Sequence, residues 1–390
     1  MSIDKNSIQI LLQNRIISFF FCLWLSMHYK GGHRLKFFHY ALFCSKKGVV
    51  WFRIDRLANW YTNDWYNFKA SSKDEKKFLI ERGYAPYKTN RYGLNKNNYN
   101  NYLSDFDLYN PKNYVSSRFA QLFEHKLNTY YLLSPFKNYM PRHYWYIDSK
   151  KVILPIDVQK RTAGTINDVM SLIEKTPIAA KACLGGHGRG FYKIVKSDND
   201  YFINNERSER KDVEALICGL SDYILTDYLK PNQVLQHLCG EGSYSVIRTL
   251  SVFDKEDGPQ ITGAMIRLGC KKAGIVSDYD GTIYTGVELD SGKLFKPYIR
   301  ETETWFSDCP NHPDTGIAID EVEIICWDKI KETVKEITKY LPWAPYLVMD
   351  IIPTEDSFAI LEINSHGEVQ GIEGHYPFCL NKYNRKAFDI

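Results

Sequence analysis

Four glycines fall within six residues, at 185, 186, 188 and 190, between two short apolar runs, "IAAKAC" (178–183) and "FYKIV" (191–195). This placement narrows the fold more than any other stretch. Glycine lets a backbone approach a ligand closely, and consecutive free N–H groups form an anion-binding concavity. Lys181 stands before the glycines, Arg189 among them and Lys193 after them, so the expected ligand is a polyphosphate. A Walker loop needs Lys-Ser or Lys-Thr after its last glycine and opens a helix, whereas Phe191 and Tyr192 follow Gly190 here. The dinucleotide fingerprint also opens a helix and is not matched. What remains is a glycine flap between two antiparallel strands, able to fold over phosphates.

The second constraint lies in "YLVMDIIPTEDSFAILEIN" (346–364), two strand-like runs around a polar turn. If Thr354 faces Phe358 across a three-residue loop, Asp350 lies opposite Glu362, and strand alternation puts Asn364 on the same face. Met349, Ile351, Leu361 and Ile363 then point into a core. Facing carboxylates repel unless something neutralises them, and a few hard oxygen ligands suit Mg²⁺ shared with substrate phosphates. A solvated charged face is the plainer alternative; the apolar flanks argue against it.

Between and around these motifs the chain alternates without strict βαβ order, which points to α+β. Helices are expected from the Ser116–Ser117 cap through Phe119, Leu122, Phe123 and Leu127, over "TINDVMSLIEKT" (165–176) and over "SERKDVEALICGL" (208–220), the last with a serine cap. "WDKIKETVKEITKYL" (327–341) sets Ile330, Val334, Ile337 and Leu341 on one face. Strands are expected over "YILTDYL" (223–229), "YSVIRTLSVF", "ITGAMIRLG", "GTIYTGVEL" and "KLFKPYI".

A net charge of +4 is too mild to argue for nucleic acid. Nine cysteines, without a CxxC, read as reduced cytoplasmic thiols, and the histidines form no zinc pattern. The apolar run "IISFFFCLWLSM" (16–27) has 12 residues, against the roughly 20 that span a bilayer. It also lacks a signal-peptide cleavage pattern, so it reads as a buried or amphipathic helix. Residues 1–60 carry nine Lys/Arg against two acids, making contact with an anionic membrane face a second reading. Residues 1–115 are aromatic-rich and form an N-terminal region; 116–390 hold the nucleotide chemistry, with a flap lobe about 150–230 and a metal-binding lobe about 231–390.

At these residues the chain resembles the ATP-grasp superfamily: Lys126 in "EHKLNTYYLL", Lys181 before "GGHGRG", the "LTDYL" strand, and Asp350 twelve residues before the Glu362-x-Asn364 ending. "SVIRTLS", "GAMIRLG", "SDYDGTIYTGV" and "HPDTG" are similar to the branch encoded with polysaccharide-synthesis genes, the sugar-transfer-associated and teichuronopeptide-type proteins. The resemblance covers about 120–375. It implies two α+β lobes clasping ATP, with Lys126 and Lys181 on its phosphates. Gly185, Gly186, Gly188 and Gly190 form the flap, with Arg189 near the γ-phosphate or in solvent. Thr226, Asp227, Tyr228 and Leu229 offer adenine their backbone, although Asp227 replaces a usual glutamate. Asp350, Glu362 and Asn364 hold one or two Mg²⁺. Arg248 and Arg267 grip a phosphoryl group or carboxylate, and His366 lies on the substrate side.

Each role has a plainer rival. Lys126 is an ordinary helix lysine, Arg248 and Arg267 are half-buried ion pairs, His312 and Asp314 shape a turn rather than act as a catalytic pair, His187 is incidental and Cys183 is a small core residue. Lys181, mid-strand among small residues, has the least satisfactory rival, because an unpaired buried lysine is costly. The activity implied is an ATP-dependent carboxylate–amine ligase working through an acyl phosphate. The expected substrates are an amino acid and a uronic acid of a capsule or O-antigen precursor, handled in the cytoplasm or peripherally at the inner membrane. A kinase acting on a sugar hydroxyl and a non-catalytic nucleotide-binding module remain the alternatives. The oligomeric state stays open.

Overall fold

The structure, a computed structural model, describes residues 14–110, 120–156, 162–185, 190–240, 243–271, 280–344, 346–364 and 369–390. Two antiparallel sheets organise it. The first contains β1 (His143–Ile147), β2 (Ile153–Pro155), β3 (Ile178–Ala182), β4 (Phe191–Ser197), β5 (Asp200–Ile203), β6 (Glu206–Ser208) and β7 (Tyr223–Asp227), in the order β2-β1-β7-β3-β4-β5-β6. The second contains β8 (Ser245–Asp254), β9 (Gly258–Leu268), β10 (Ile283–Val287), β11 (Leu294–Thr302), β12 (Trp305–Asp308), β13 (Tyr346–Pro353) and β14 (Phe358–Asn364), in the order β12-β11-β10-β9-β8-β13-β14. The first sheet already begins at His143, ahead of the expected lobe boundary, because β1 pairs with β7.

Helices Ile166–Ile173 and Arg210–Gly219 cover the first sheet, burying Val169, Met170, Ile173, Val213 and Ile217 against Ile178, Ala180, Ile194 and Leu225. Thr165 and Asp168 close a capping box on the former. On the latter Glu209, not Ser208, is the cap, paired with Asp212.

The second sheet is covered on both faces. Helix Trp327–Tyr340 lays Ile330, Val334 and Ile337 against Ile247, Ile266, Met349 and Ile351. Its 3.6-residue apolar period matches a single buried stripe. The other face, at Leu250, Val252, Met265, Tyr284, Tyr346 and Val348, shares one core with the N-terminal helices Arg15–His28, Arg34–Lys46 and Trp51–Asn67. Most N-terminal aromatics therefore cover a sheet face, while Tyr84, Tyr92 and Tyr102 form a small core of their own with Leu79 and Leu94. Within the N-terminal region Lys88 Nζ donates to Asp105 at 2.8 Å with both side chains fully buried, and other bonds cross the junction. Tyr92 donates to the Gln370 carbonyl at 2.8 Å, and the Leu103 N–H to Glu373 at 2.6 Å. Burial pushes the Glu373 carboxyl up to about 7.

The helix expected to run from the Ser116–Ser117 cap is broken. It appears as Ala120–Glu124 and Lys126–Leu132, with His125 extended between them, and the proposed caps lie outside the described residues. The break lets the Lys126 N–H donate to the Cys183 carbonyl at 3.0 Å, tying this segment to the end of β3.

Candidate active site

The acidic hairpin sets the site. β13 and β14 pair Asp350 with Glu362 and Val348 with Asn364. The loop does not do this alone. Pro353, not Thr354, faces Phe358, and the Thr354 N–H donates to the Ser357 carbonyl at 2.9 Å. A bulge between Ile360 and Glu362 then restores the pairing by one residue. It also turns Leu361, expected in the core, out to line a cleft with Glu362, while Met349, Ile351 and Ile363 stay buried.

Asp350 also pairs with Arg248 of β8, so Arg248, Asp350 and Glu362 form one row across three strands. The Arg248 guanidinium grips Asp350 with two bonds of 2.8 Å, and Arg267 adds one of 3.3 Å. The repulsion expected between Asp350 and Glu362 is thus answered by two arginines. Among the described residues no side chain bonds the Glu362 carboxylate or the Asn364 amide, and both are half-buried. Of the two, Glu362 lines the cleft, and Asn364 follows it two residues on along β14.

The opposite wall comes from the first sheet and the helix tied to it. Lys126, His143, Lys181, Ile224 and Thr226 line a narrow cleft, partly open to solvent, together with Leu361 and Glu362. Lys181 is half-buried on β3. Loss of hydration pulls its ammonium down to about 8, the like charge of Lys126 adding to this and the Glu362 carboxylate opposing it. Lys126 Nζ donates to the Gly185 carbonyl at 3.0 Å, which brings the start of the flap to the same wall. Gly185 and Gly190 have φ of +136° and +70°. A Cβ at Gly190 would stand 2.6 Å from the Tyr223 hydroxyl, so the flap's exit requires glycine.

A family model of sugar-transfer associated ATP-grasp proteins matches residues 107–375. The chain belongs to this family. Solved structures similar to this ATP-grasp chain include an ADP complex of N5-carboxyaminoimidazole ribonucleotide synthetase (8% identity, 64% of this chain and 46% of that one, TM-score 0.36). A biotin carboxylase from Campylobacter jejuni matches at 10% identity over 69% of this chain and 46% of that one, TM-score 0.35. The D-alanyl-alanine synthetase A of Vibrio cholerae matches at 10% identity over 72% of this chain and 68% of that one, TM-score 0.35. The chain therefore spans under half the length of the first of these. No curated protein matches its sequence.

The remaining ATP-grasp positions are distributed as follows. Gly186, His187, Gly188, Arg189 and His366 lie outside the described residues. Thr226 is fully buried within β7. The Asp227 N–H is already used by the Arg142 carbonyl at 2.9 Å and the Tyr228 N–H by the Pro177 carbonyl at 3.2 Å. The Asp227 carboxylate accepts from the Tyr144 hydroxyl and the Arg142 N–H. Neither the Asp227 nor the Tyr228 N–H is free to donate in this structure. Tyr244 donates to the Leu229 carbonyl at 2.6 Å.

His312 and Asp314 are not a catalytic pair: His312 is fully buried, its Nε2 against the Gly269 carbonyl at 2.9 Å and its Nδ1 accepting from the Asp314 N–H. They shape a turn. Two features escaped the sequence reading. His143, stacked on Tyr130 at 4.1 Å, lines the cleft with an imidazole that burial holds down at about 4, hence neutral. The only hint was the Pro-Arg-His entry into a strand. His125, Cys183 and Asp222 bring ligand-type atoms within 4.8 Å of one another at the root of the flap, although 97 positions separate the first from the last.

Proposed function

We propose that the protein is an ATP-dependent carboxylate–amine ligase acting on a sugar carboxylate. One observation carries this reading: Lys181 on the first sheet, Lys126 on the helix tied to the end of β3, and the carboxylate of Glu362 on the second sheet line one cleft, with Lys126 bonded to Gly185. Lys126 and Lys181 suit phosphate oxygens, as compact point charges. Glu362 and Asn364 are the oxygen donors that would hold Mg²⁺, with the Asp350 carboxylate beside them in the same row. The ion would offset charge on the terminal phosphates.

A substrate carboxylate oxygen attacks the γ-phosphorus and the bond to ADP breaks, giving an acyl phosphate. An amine nitrogen then attacks the acyl carbon, the amide forms, phosphate leaves and one proton is released. Arg248 lies in the row behind Glu362 and Arg267 reaches Asp350 from β9, where guanidinium groups suit a carboxylate or phosphoryl oxygen. The N-terminal region covers the same sheet face as that row, and in this reading it recognises the sugar. The substrates in this reading are a uronic acid of a capsule or O-antigen precursor and an amino acid, and the setting is the cytoplasm, peripheral to the inner membrane.

The test is incubation with Mg²⁺–ATP and candidate uronic acids, with and without amino acids, followed by mass spectrometry. Amide together with ADP and phosphate is the expected product; a phosphorylated sugar would replace the ligase with a kinase.

A further inference from the structure

Helix Arg15–His28 presents its side chains the wrong way round for a surface helix in water. Its buried positions are Ser18, Cys22 and Ser26, one stripe of small residues four apart. Ser18 Oγ meets Ser45 Oγ at 2.6 Å, and Ser26 Oγ donates to the Leu23 carbonyl. Outward stand Ile16, Phe20, Trp24 and Met27, exposed by 67, 62, 50 and 58%. Leu35, in the next helix, is 88% exposed. A soluble surface helix turns its apolar stripe to the core. A contiguous outward patch of this kind marks a face that meets lipid or a partner.

Charge decides between these. From Lys5 to Ile54 the chain has no acidic residue, and 15–53 hold seven lysines and arginines. Arg15, Lys30 and Arg34 are exposed close to the apolar patch. A second copy of the chain would bring these cations against themselves, whereas anionic lipid headgroups complement them. Fourteen residues at 1.5 Å each reach about 21 Å, short of a bilayer's ~30 Å core. Among the described residues no helix is long and apolar enough to cross a membrane.

We propose that this helix lies in the plane of an anionic bilayer surface, with Ile16, Phe20, Trp24, Met27 and Leu35 in the headgroup–acyl boundary and the flanking cations on lipid phosphates. The proposal deepens the peripheral setting given above and rests on no part of the ATP site, so either can fail alone.

The experiment is flotation of the full chain with vesicles of phosphatidylcholine, with or without phosphatidylglycerol. Mass by light scattering and thermal melting are followed in parallel. The parent chain should float with the anionic vesicles, less so at high salt. The Phe20→Glu/Trp24→Glu variant should partition at least about tenfold less, with an unchanged melting midpoint. Failure of the parent to float with anionic vesicles overturns the proposal, as does equal flotation of the variant. A dimer that the variant abolishes, with no vesicle binding by the parent, would assign the face to a second copy instead. If the double variant does not fold, Leu35→Glu makes the same comparison, because an 88% exposed side chain contributes little to packing.

Discussion

The two sheets of this molecule are built to different standards of burial. Every residue of β13 is buried, and cores lie against both faces of its sheet. In β4, next to the flap, only Ile194 is buried, and the outer strands carry exposed ion pairs such as Arg207–Asp200. The thick sheet holds charges in fixed rows; the thin one supplies Lys181 and the two strands that flank the glycines. A site that must both fix acidic groups and admit a triphosphate between its walls calls for this division.

Four experiments break or sharpen the contrast. Arg248→Ala should cost the most, about 3 kcal/mol, because it strips the bidentate partner from an Asp350 carboxylate held in the thick sheet. Urea unfolding measures it, and a loss below 1 kcal/mol would mean the row is not fixed by this pair. Glu362→Gln should lower turnover by about 100-fold or more with little change in melting, since its carboxylate has no partner among the described residues. Full retained activity would remove Glu362 from the metal site.

The third concerns pH. Because Lys181 is held at about 8, its ammonium is disfavoured in the fold, and its contribution to stability improves as pH rises above that value. A bound triphosphate favours the charged form, so ATP affinity should fall up to about tenfold per pH unit above pH 8. Lys181→Met should flatten that profile. Calorimetry at pH 7 and 9 tells them apart, and a flat profile in the parent would detach Lys181 from phosphate. The smallest effect is expected in the thin sheet: Gly190→Ala, at φ +70° and against Tyr223, should cost about 1 kcal/mol while raising the KM for ATP. A variant as stable as the parent, with unchanged KM, would show that the flap tolerates a side chain there.

Much of this was legible locally. The period of Ile330, Val334 and Ile337 specified helix Trp327–Tyr340 and its buried face. Apolar runs on either side of the glycines specified β3, β4 and the antiparallel turn between them. The Asp350–Glu362 pairing was foreseen, yet the bulge that produces it was not, because one inserted residue leaves no mark on an alternating pattern. Leu361 was misplaced for the same reason.

The sequence by itself determined most of the elements, the antiparallel pairing of β3 with β4 on either side of the glycines and the hairpin that pairs Asp350 with Glu362, since periodicity, backbone sterics and turn chemistry act over a few residues. Only the tertiary structure decided that β8 lies beside β13 and brings Arg248 onto Asp350, 102 positions away. It alone decided that most N-terminal aromatics cover a sheet face, and that Ser18, Cys22 and Ser26 turn inward while Phe20 and Trp24 do not. Which strand neighbours which, and which face of a helix is chosen, depends on surfaces that meet only when the whole chain packs, and no local pattern encodes them.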